Sequence, residues 1–191
     1  WALSLPVVFH ALNGARLILY ESFRCRNDQL LVNWVAGLTL LYAGLLALLL
    51  LMGSRNVSAV LLWLVAVSVA LTAVYGLYVR IGPTPHAWSW KLQRLTGAFL
   101  LVMIPAHFLF MHLGPQIAKD AGLVVLRMQN PWIKLVDAVL VVSAVYHGGY
   151  GLNSILYDYL GSKELRMVGS GAIIFVMTIA AVAGLRLIVS I

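Results

Sequence analysis

Val139-Leu140-Val141-Val142-Ser143-Ala144-Val145-Tyr146-His147-Gly148-Gly149-Tyr150-Gly151, followed by Ile155-Leu156-Tyr157-Asp158, is the stretch on which the reading of this chain turns. It belongs to an apolar run over about residues 133–158. That is long enough to cross a bilayer, since a spanning helix needs roughly 20 apolar residues. A histidine inside such a run is costly without a partner, which makes it a functional candidate. The motif occurs twice. Phe9-His10-Ala11-Leu12-Asn13-Gly14, then Ile18-Leu19-Tyr20-Glu21, repeats the histidine, the glycine four residues on, and an Ile-Leu-Tyr-acid ending eleven residues on. At ~100° per residue the glycine lies about 40° and the acid about 20° from the histidine, so all three share one helix face. A histidine over a glycine gap on a membrane helix suggests a flat macrocycle gripped by imidazole.

The rest of the chain has the same character. It is 62% hydrophobic and only 10% charged, with a mean hydropathy of +0.96. No soluble domain needs so much apolar surface. The expectation is an all-α, polytopic membrane helix bundle, a single transmembrane domain over residues 1–191. Six runs qualify as transmembrane helices, at about 1–23, 33–53, 57–79, 94–114, 133–158 and 169–190. Polar or helix-breaking segments separate them: Arg24 to Gln29, Gly53-Ser54-Arg55-Asn56, Gly82-Pro83-Thr84-Pro85, Gly114-Pro115, Pro131, and Gly161-Ser162-Lys163-Glu164. The chain begins at Trp1 inside an apolar run and reads as N-terminally incomplete.

Charge and cysteine narrow the function. The formal net charge of +7 sits in loops, which suits membrane anchoring and does not imply nucleic acid. Cys25 is the single cysteine, excluding intramolecular disulfides, a CxxCH haem attachment and an iron–sulfur cluster held by this chain alone. Arg24, Arg26, Arg80, Lys91, Arg94, Lys163 and Arg166 favour the loops after helices one, three and five as cytoplasmic. Glu21 and Asp158 then both lie at the cytoplasmic rim.

Of the five histidines, His86 sits in the Pro-rich loop and reads as solvent-facing. His10 and His147 each lie about 16 Å from their rim acid and can face each other at one level. His107 lies at a second level, about 10 Å from the other surface. His112 is five residues from His107 on the same helix, so the two cannot straddle one porphyrin; it reads as near the surface. Zinc or copper is disfavoured, because intramembrane acids and thiols are lacking. Bis-histidine haem b fits, with the ring between helices. His10 and His147 are the expected axial ligands of one haem, with Gly14 and Gly151 giving it room. His107 is the expected ligand of a second, its partner on a helix upstream of Trp1.

A second constellation opens the fourth helix: Trp88-Ser89-Trp90-Lys91-Leu92-Gln93-Arg94-Leu95-Thr96-Gly97. Trp88 and Trp90 also read as interfacial anchors. Arg94 and Gln93 place hydrogen-bond donors where Asp158 and Tyr159 end the fifth helix. A quinone needs little else besides apolar walls, which Trp90 supplies, and a route for protons from water.

With these residues in view, the chain resembles the membrane-anchor cytochrome b of succinate dehydrogenase and fumarate reductase. Gln93-Arg94-Leu95-Thr96-Gly97 with His107 resembles that family's Gln-Arg-x-Thr/Ser-Gly helix and haem histidine. His147-x3-Gly151-x6-Asp158-Tyr159 resembles its haem-ligand helix ending in Asp-Tyr at the quinone site. His10-x3-Gly14, with Arg16, resembles the helix of the other half, with Glu21 in place of the usual aspartate. The resemblance implies a flavoprotein subunit and an iron–sulfur subunit docked on the cytoplasmic face. Dicarboxylate chemistry would lie on those subunits, with no catalytic residue on this chain. This chain would bind haem b and a quinone, ubiquinone or menaquinone, and carry electrons for the respiratory chain in a prokaryotic cytoplasmic membrane. The alternatives are a cytochrome b anchor of a formate dehydrogenase or hydrogenase, and a non-redox polytopic protein.

Overall fold

The computed structural model describes residues 4–52, 59–113 and 120–190. All secondary structure among them is helical: α1 (Ser4–Phe23), α2 (Asp28–Met52), α3 (Ala59–Ile81), α4 (Trp88–Leu113), α5 (Ala121–Met128), α6 (Pro131–Tyr159) and α7 (Lys163–Ser190). The described part of each of the six apolar runs is helical. Four stretches among the described residues are long and apolar enough to cross a membrane: Trp63–Ile81, Trp88–Leu109, Pro131–Tyr159 and Lys163–Ser190. The short α5 was not anticipated, because its eight residues are too few for a spanning run. The expected turn at Gly53–Asn56 and the Gly114-Pro115 break lie outside the described residues.

Helix starts differ from the sequence reading, for one physical reason. Hydropathy marks where a helix is apolar, whereas capping marks where it begins. The second helix starts at Asp28 rather than near residue 33, because the Asn27 side chain accepts from the Leu30 N–H at 3.1 Å. The last helix starts at Lys163 rather than near residue 169, with Ser162 Oγ accepting from the Leu165 N–H at 3.1 Å. Asn130 caps α6 through the Trp132 N–H at 2.9 Å, with Pro131 in the first turn where its missing N–H costs nothing. The fourth helix starts at Trp88 rather than residue 94, placing Trp88, Trp90 and Lys91 on the helix itself.

Lys91, read from sequence as a loop cation, is 6% exposed. Its Nζ donates to the carbonyls of Gly82 at 2.7 Å and Thr84 at 2.8 Å. Pro83 and Pro85 end α3 and remove backbone donors there, so the carbonyls at its C-terminal end need partners from elsewhere. One turn into α4, Lys91 supplies them and places a positive charge at the negative end of α3. This joint ties the α3–α4 turn to the start of α4.

The chain divides into two compact units, Trp1–Ala121 and Gly122–Ile191. In the first, α3 packs along α4, while α1 packs on α2 and α4. Ala66, Ala70, Leu77 and Ile81 recur at helical spacing and form the buried stripe of α3, Ala70 being 0% exposed. Small side chains let membrane helices approach closely, where dispersion contacts replace a hydrophobic driving force. Ala98 of α4 meets Leu77 and Ile81, with Ile18 and Trp90 packed against the cluster. An ion pair from Arg16 to Asp28 ties α1 to α2, and Asn13 Oδ1 accepts from Arg16 Nε at 3.0 Å.

In the second unit α6 packs along α7. Glycines set the approach. A Cβ on Gly184 would meet Val141 Cγ1 at 2.9 Å, one on Gly149 would meet Met177 Cγ at 3.1 Å, and one on Gly169 would collide with Leu156. Ser170 Oγ donates to Asn153 Oδ1 at 2.6 Å, a polar link across the same pair of helices. Arg166 Nε donates to the Leu160 carbonyl at 2.6 Å and so ties the start of α7 to the end of α6.

Candidate functional site

At one end of the first unit, the C-terminal ends of α1 and α3 and the start of α4 converge. Arg94 of α4 donates from Nη2 to Glu21 Oε2 of α1 at 2.9 Å. The same guanidinium carbon stands 4.6 Å from the centroid of Trp90. The side chains of Arg94 and Glu21 are 24% and 39% exposed, so the pair lies at a rim and is neither deeply buried nor fully solvated. Guanidinium is charged at any physiological pH. This corner therefore fixes a positive charge between a carboxylate and an aromatic face. Gln93, beside it, is buried.

Trp90 has a second neighbour. The His86 ring lies with its centroid 4.2 Å away and tilted by 32°. His86 is exposed, as the sequence suggested, but it also packs on the rim tryptophan. Glu21, Arg24, Arg80, His86 and Trp90 line one cavity of about 680 Å3. Sequence reasoning treated Glu21 as a rim acid and Arg80 as a topological signal; it did not join them. The only available sign was the shared depth of three helix ends, and depth does not specify neighbours.

The histidines of the expected haem sites are all helical. His10 is exposed on α1, and nothing lies within 4 Å of a Cβ built on Gly14, one turn further on. The face of α1 one turn beyond His10 is therefore open at the depth of a Cβ, which is the local room that a ring held by this imidazole would need. On α6, His147 and Gly151 are half-buried. Gly148 likewise has nothing within 4 Å of its Cβ position, whereas Gly149 faces Met177 and serves helix packing. The repeated glycines thus divide into open positions and packing positions, which the sequence could not distinguish.

His107, less than two turns before the end of α4, has its Nδ1 buried and its ring 6.2 Å from Trp63 of α3, tilted by 55°. Its environment is therefore interior and aromatic. The side chain of His112 lies outside the described residues. Asp158 and Tyr159 end α6; Asp158 is exposed and Tyr159 is 84% exposed. Arg166 stands 5.3 Å from the Tyr157 ring, so this helix end also carries a cation. The expected pairing of His10 with His147, and of Arg94 with Asp158 and Tyr159, each draws on both units. Within the first unit the carboxylate on Arg94 is Glu21. Among the described residues no cluster of three or more His, Cys, Asp or Glu side chains could hold a bare metal ion.

Comparison with known proteins bears on the same helices. No solved structure matches the chain. The succinate dehydrogenase hydrophobic membrane anchor subunit of Archaeoglobus fulgidus is 28% identical over 103 residues, covering 54% of this chain and 88% of that protein. The succinate dehydrogenase/fumarate reductase transmembrane subunit family matches residues 79–185, which take in α4 with Trp90, Arg94 and His107 and α6 with His147, Asp158 and Tyr159. More than half of the chain, including most of the candidate residues, therefore lies within one family pattern, and four of its helices can span a bilayer. The chain belongs to the succinate dehydrogenase/fumarate reductase transmembrane subunit family and is a multi-pass membrane protein.

Proposed function

We propose that this chain anchors a succinate:quinone oxidoreductase in the membrane, binds haem b and quinone, and carries electrons between an iron–sulfur subunit and the quinone pool. In this reading six helices cross the bilayer: α1, α2, α3, α4, α6 and α7. A flavoprotein subunit performs the dicarboxylate chemistry, and the iron–sulfur subunit docks on the cytoplasmic face. The observation that carries the reading is the Arg94 corner. A permanent positive charge, oriented by Glu21 at 2.9 Å and by the face of Trp90, stands on the helix whose interior holds His107. Charge that develops on a quinone oxygen during reduction is stabilised by a donor that needs no reorganisation.

The residues divide the work by chemistry. Arg94 binds a quinone carbonyl oxygen and Trp90 walls the headgroup. Tyr159 donates a hydrogen bond to the other carbonyl, and Asp158, exposed to water, delivers protons. His10 and His147 hold one haem b, Gly14 and Gly151 leave room for its ring, and His107 holds a second. Bound in this way, haem supplies one-electron redox capacity inside the membrane. The quinone is ubiquinone or menaquinone.

The test measures two activities on purified, haem-replete variants. Arg94→Leu and Tyr159→Phe are expected to impair succinate oxidation coupled to quinone, while succinate oxidation by an artificial water-soluble acceptor survives. Equal quinone turnover in all variants would remove this site, and joint loss of both activities would make its role one of assembly alone.

A further inference from the structure

The cavity beside Trp90 carries a charge that the quinone reading does not use. Five of its lining residues are Glu21, Arg24, Arg80, His86 and Trp90. Glu21 is already paired with Arg94. Among the described residues, neither Arg24 nor Arg80 pairs with a carboxylate. Arg80 is held over the Phe23 ring, 5.5 Å from its centroid. Arg24 takes a left-handed backbone conformation, φ 57°, which L side chains rarely adopt and which turns the chain at the end of α1 beside the cavity. Two fixed cations and an imidazole therefore line a space of about 680 Å3 whose one carboxylate is neutralised from the α4 side.

Its position narrows the ligand. Arg80 is one residue from the end of the span Trp63–Ile81, so the cavity opens at the level of lipid headgroups. Arginines at span ends extend toward that level, and basic pockets between spanning helices suit anionic headgroups. A quinone ring has no negative charge in its oxidised form and gives two guanidinium groups little to neutralise. We infer that this cavity binds the phosphate group of an anionic phospholipid through Arg24 and Arg80, with His86 and Trp90 bounding the glycerol side. The anionic phosphate oxygens are shared with free inorganic phosphate, but the placement at the membrane rim favours the lipid.

The experiment uses the full chain extracted from its membrane. It is exchanged into nanodiscs of phosphatidylcholine with a minor fraction of phosphatidylglycerol, and retained lipid is counted by native mass spectrometry. Preferential retention of phosphatidylglycerol is expected. Since each basic residue near an anionic lipid contributes about a factor of five, the double variant Arg24→Gln, Arg80→Gln should lower that preference by about 30-fold. The lysine pair at the same positions should retain most of the preference, provided helix content by circular dichroism is unchanged. Arg186→Gln, on α7, should leave it unaltered. Equal retention of both lipids, or full retention by the glutamine pair, overturns the proposal. Displacement of phosphatidylglycerol by inorganic phosphate reassigns the site to the free anion and overturns the lipid as occupant. Displacement by a water-soluble quinone overturns it as well, and because lipid is counted directly, loss of quinone turnover alone leaves this result intact.

Discussion

Arg94 of α4 and Glu21 of α1 form an ion pair at 2.9 Å that joins the first helix to the fourth, seventy-three residues apart in sequence. The pair is partly exposed, so it adds little to stability, about 0–1 kcal/mol. Its consequence is positional: it holds a guanidinium against Trp90 at the membrane rim.

That separation of roles makes a first prediction. Glu21→Gln should leave assembly and helix content unchanged. It should reduce quinone-linked turnover by less than Arg94→Leu does, because the guanidinium remains but loses its orienting partner. For Arg94→Leu, loss of a charge-assisted hydrogen bond worth about 1.5–3 kcal/mol corresponds to roughly 10–100-fold. Steady-state kinetics with a soluble quinone reads both values. A Glu21→Gln defect as large as that of Arg94→Leu would count against the positioning role.

Haem content gives the second prediction. His10→Ala and His147→Ala should each abolish the same haem, read as a pyridine haemochrome ratio to protein. His107→Ala should remove a different one and leave the first. The open space at Gly14 sharpens this test, since a Cβ added there meets no protein atom within 4 Å. Gly14→Leu should therefore fold normally and lose haem. Normal folding with undiminished haem would show that the space beside His10 holds no ring.

The Lys91 joint is structural, and it fails differently. Lys91→Met would leave the carbonyls of Gly82 and Thr84 without the charged donor that now reaches both. The expected loss is about 2 kcal/mol or more, since hydrogen bonds to charged groups contribute about 1.5–3 kcal/mol. Thermal unfolding followed by circular dichroism should show a midpoint several degrees lower, with haem bound at low temperature. An unchanged midpoint would mean that water replaces the lysine at no cost.

Packing between α6 and α7 supplies the fourth prediction. Gly184→Ala should destabilise more than Gly149→Ala. The new methyl at residue 184 meets Val141 at 2.9 Å, and a β-branched side chain has little rotamer freedom with which to yield. At residue 149 it meets Met177 at 3.1 Å, where a flexible thioether chain can move aside. Comparing the unfolding midpoints of the two variants checks the order, and a reversed order would contradict this account of the interface.

The sequence by itself determined that this is a membrane helix bundle, because apolar runs of spanning length are dictated by bilayer thickness and need no partner to be recognised. It also determined the candidate chemistry, since His10, His107 and His147 are costly in such runs unless used. Helix starts were not legible from hydropathy. Asn27, Asn130 and Ser162 decide them through hydrogen bonds to backbone groups, which carry no apolar signature. Tertiary structure alone decided which charges meet. Sequence gives Arg94 and Glu21 a shared depth at helix ends, and depth along the membrane normal says nothing about neighbours in the membrane plane. The packing of α1 on α4 is what brings Glu21 to Arg94 and leaves Arg24 and Arg80 to line a cavity. The same limit applied to the glycines: Gly14 and Gly149 each follow a membrane histidine closely, but only the helix beside Gly149 makes it a contact, while a Cβ at Gly14 meets nothing within 4 Å.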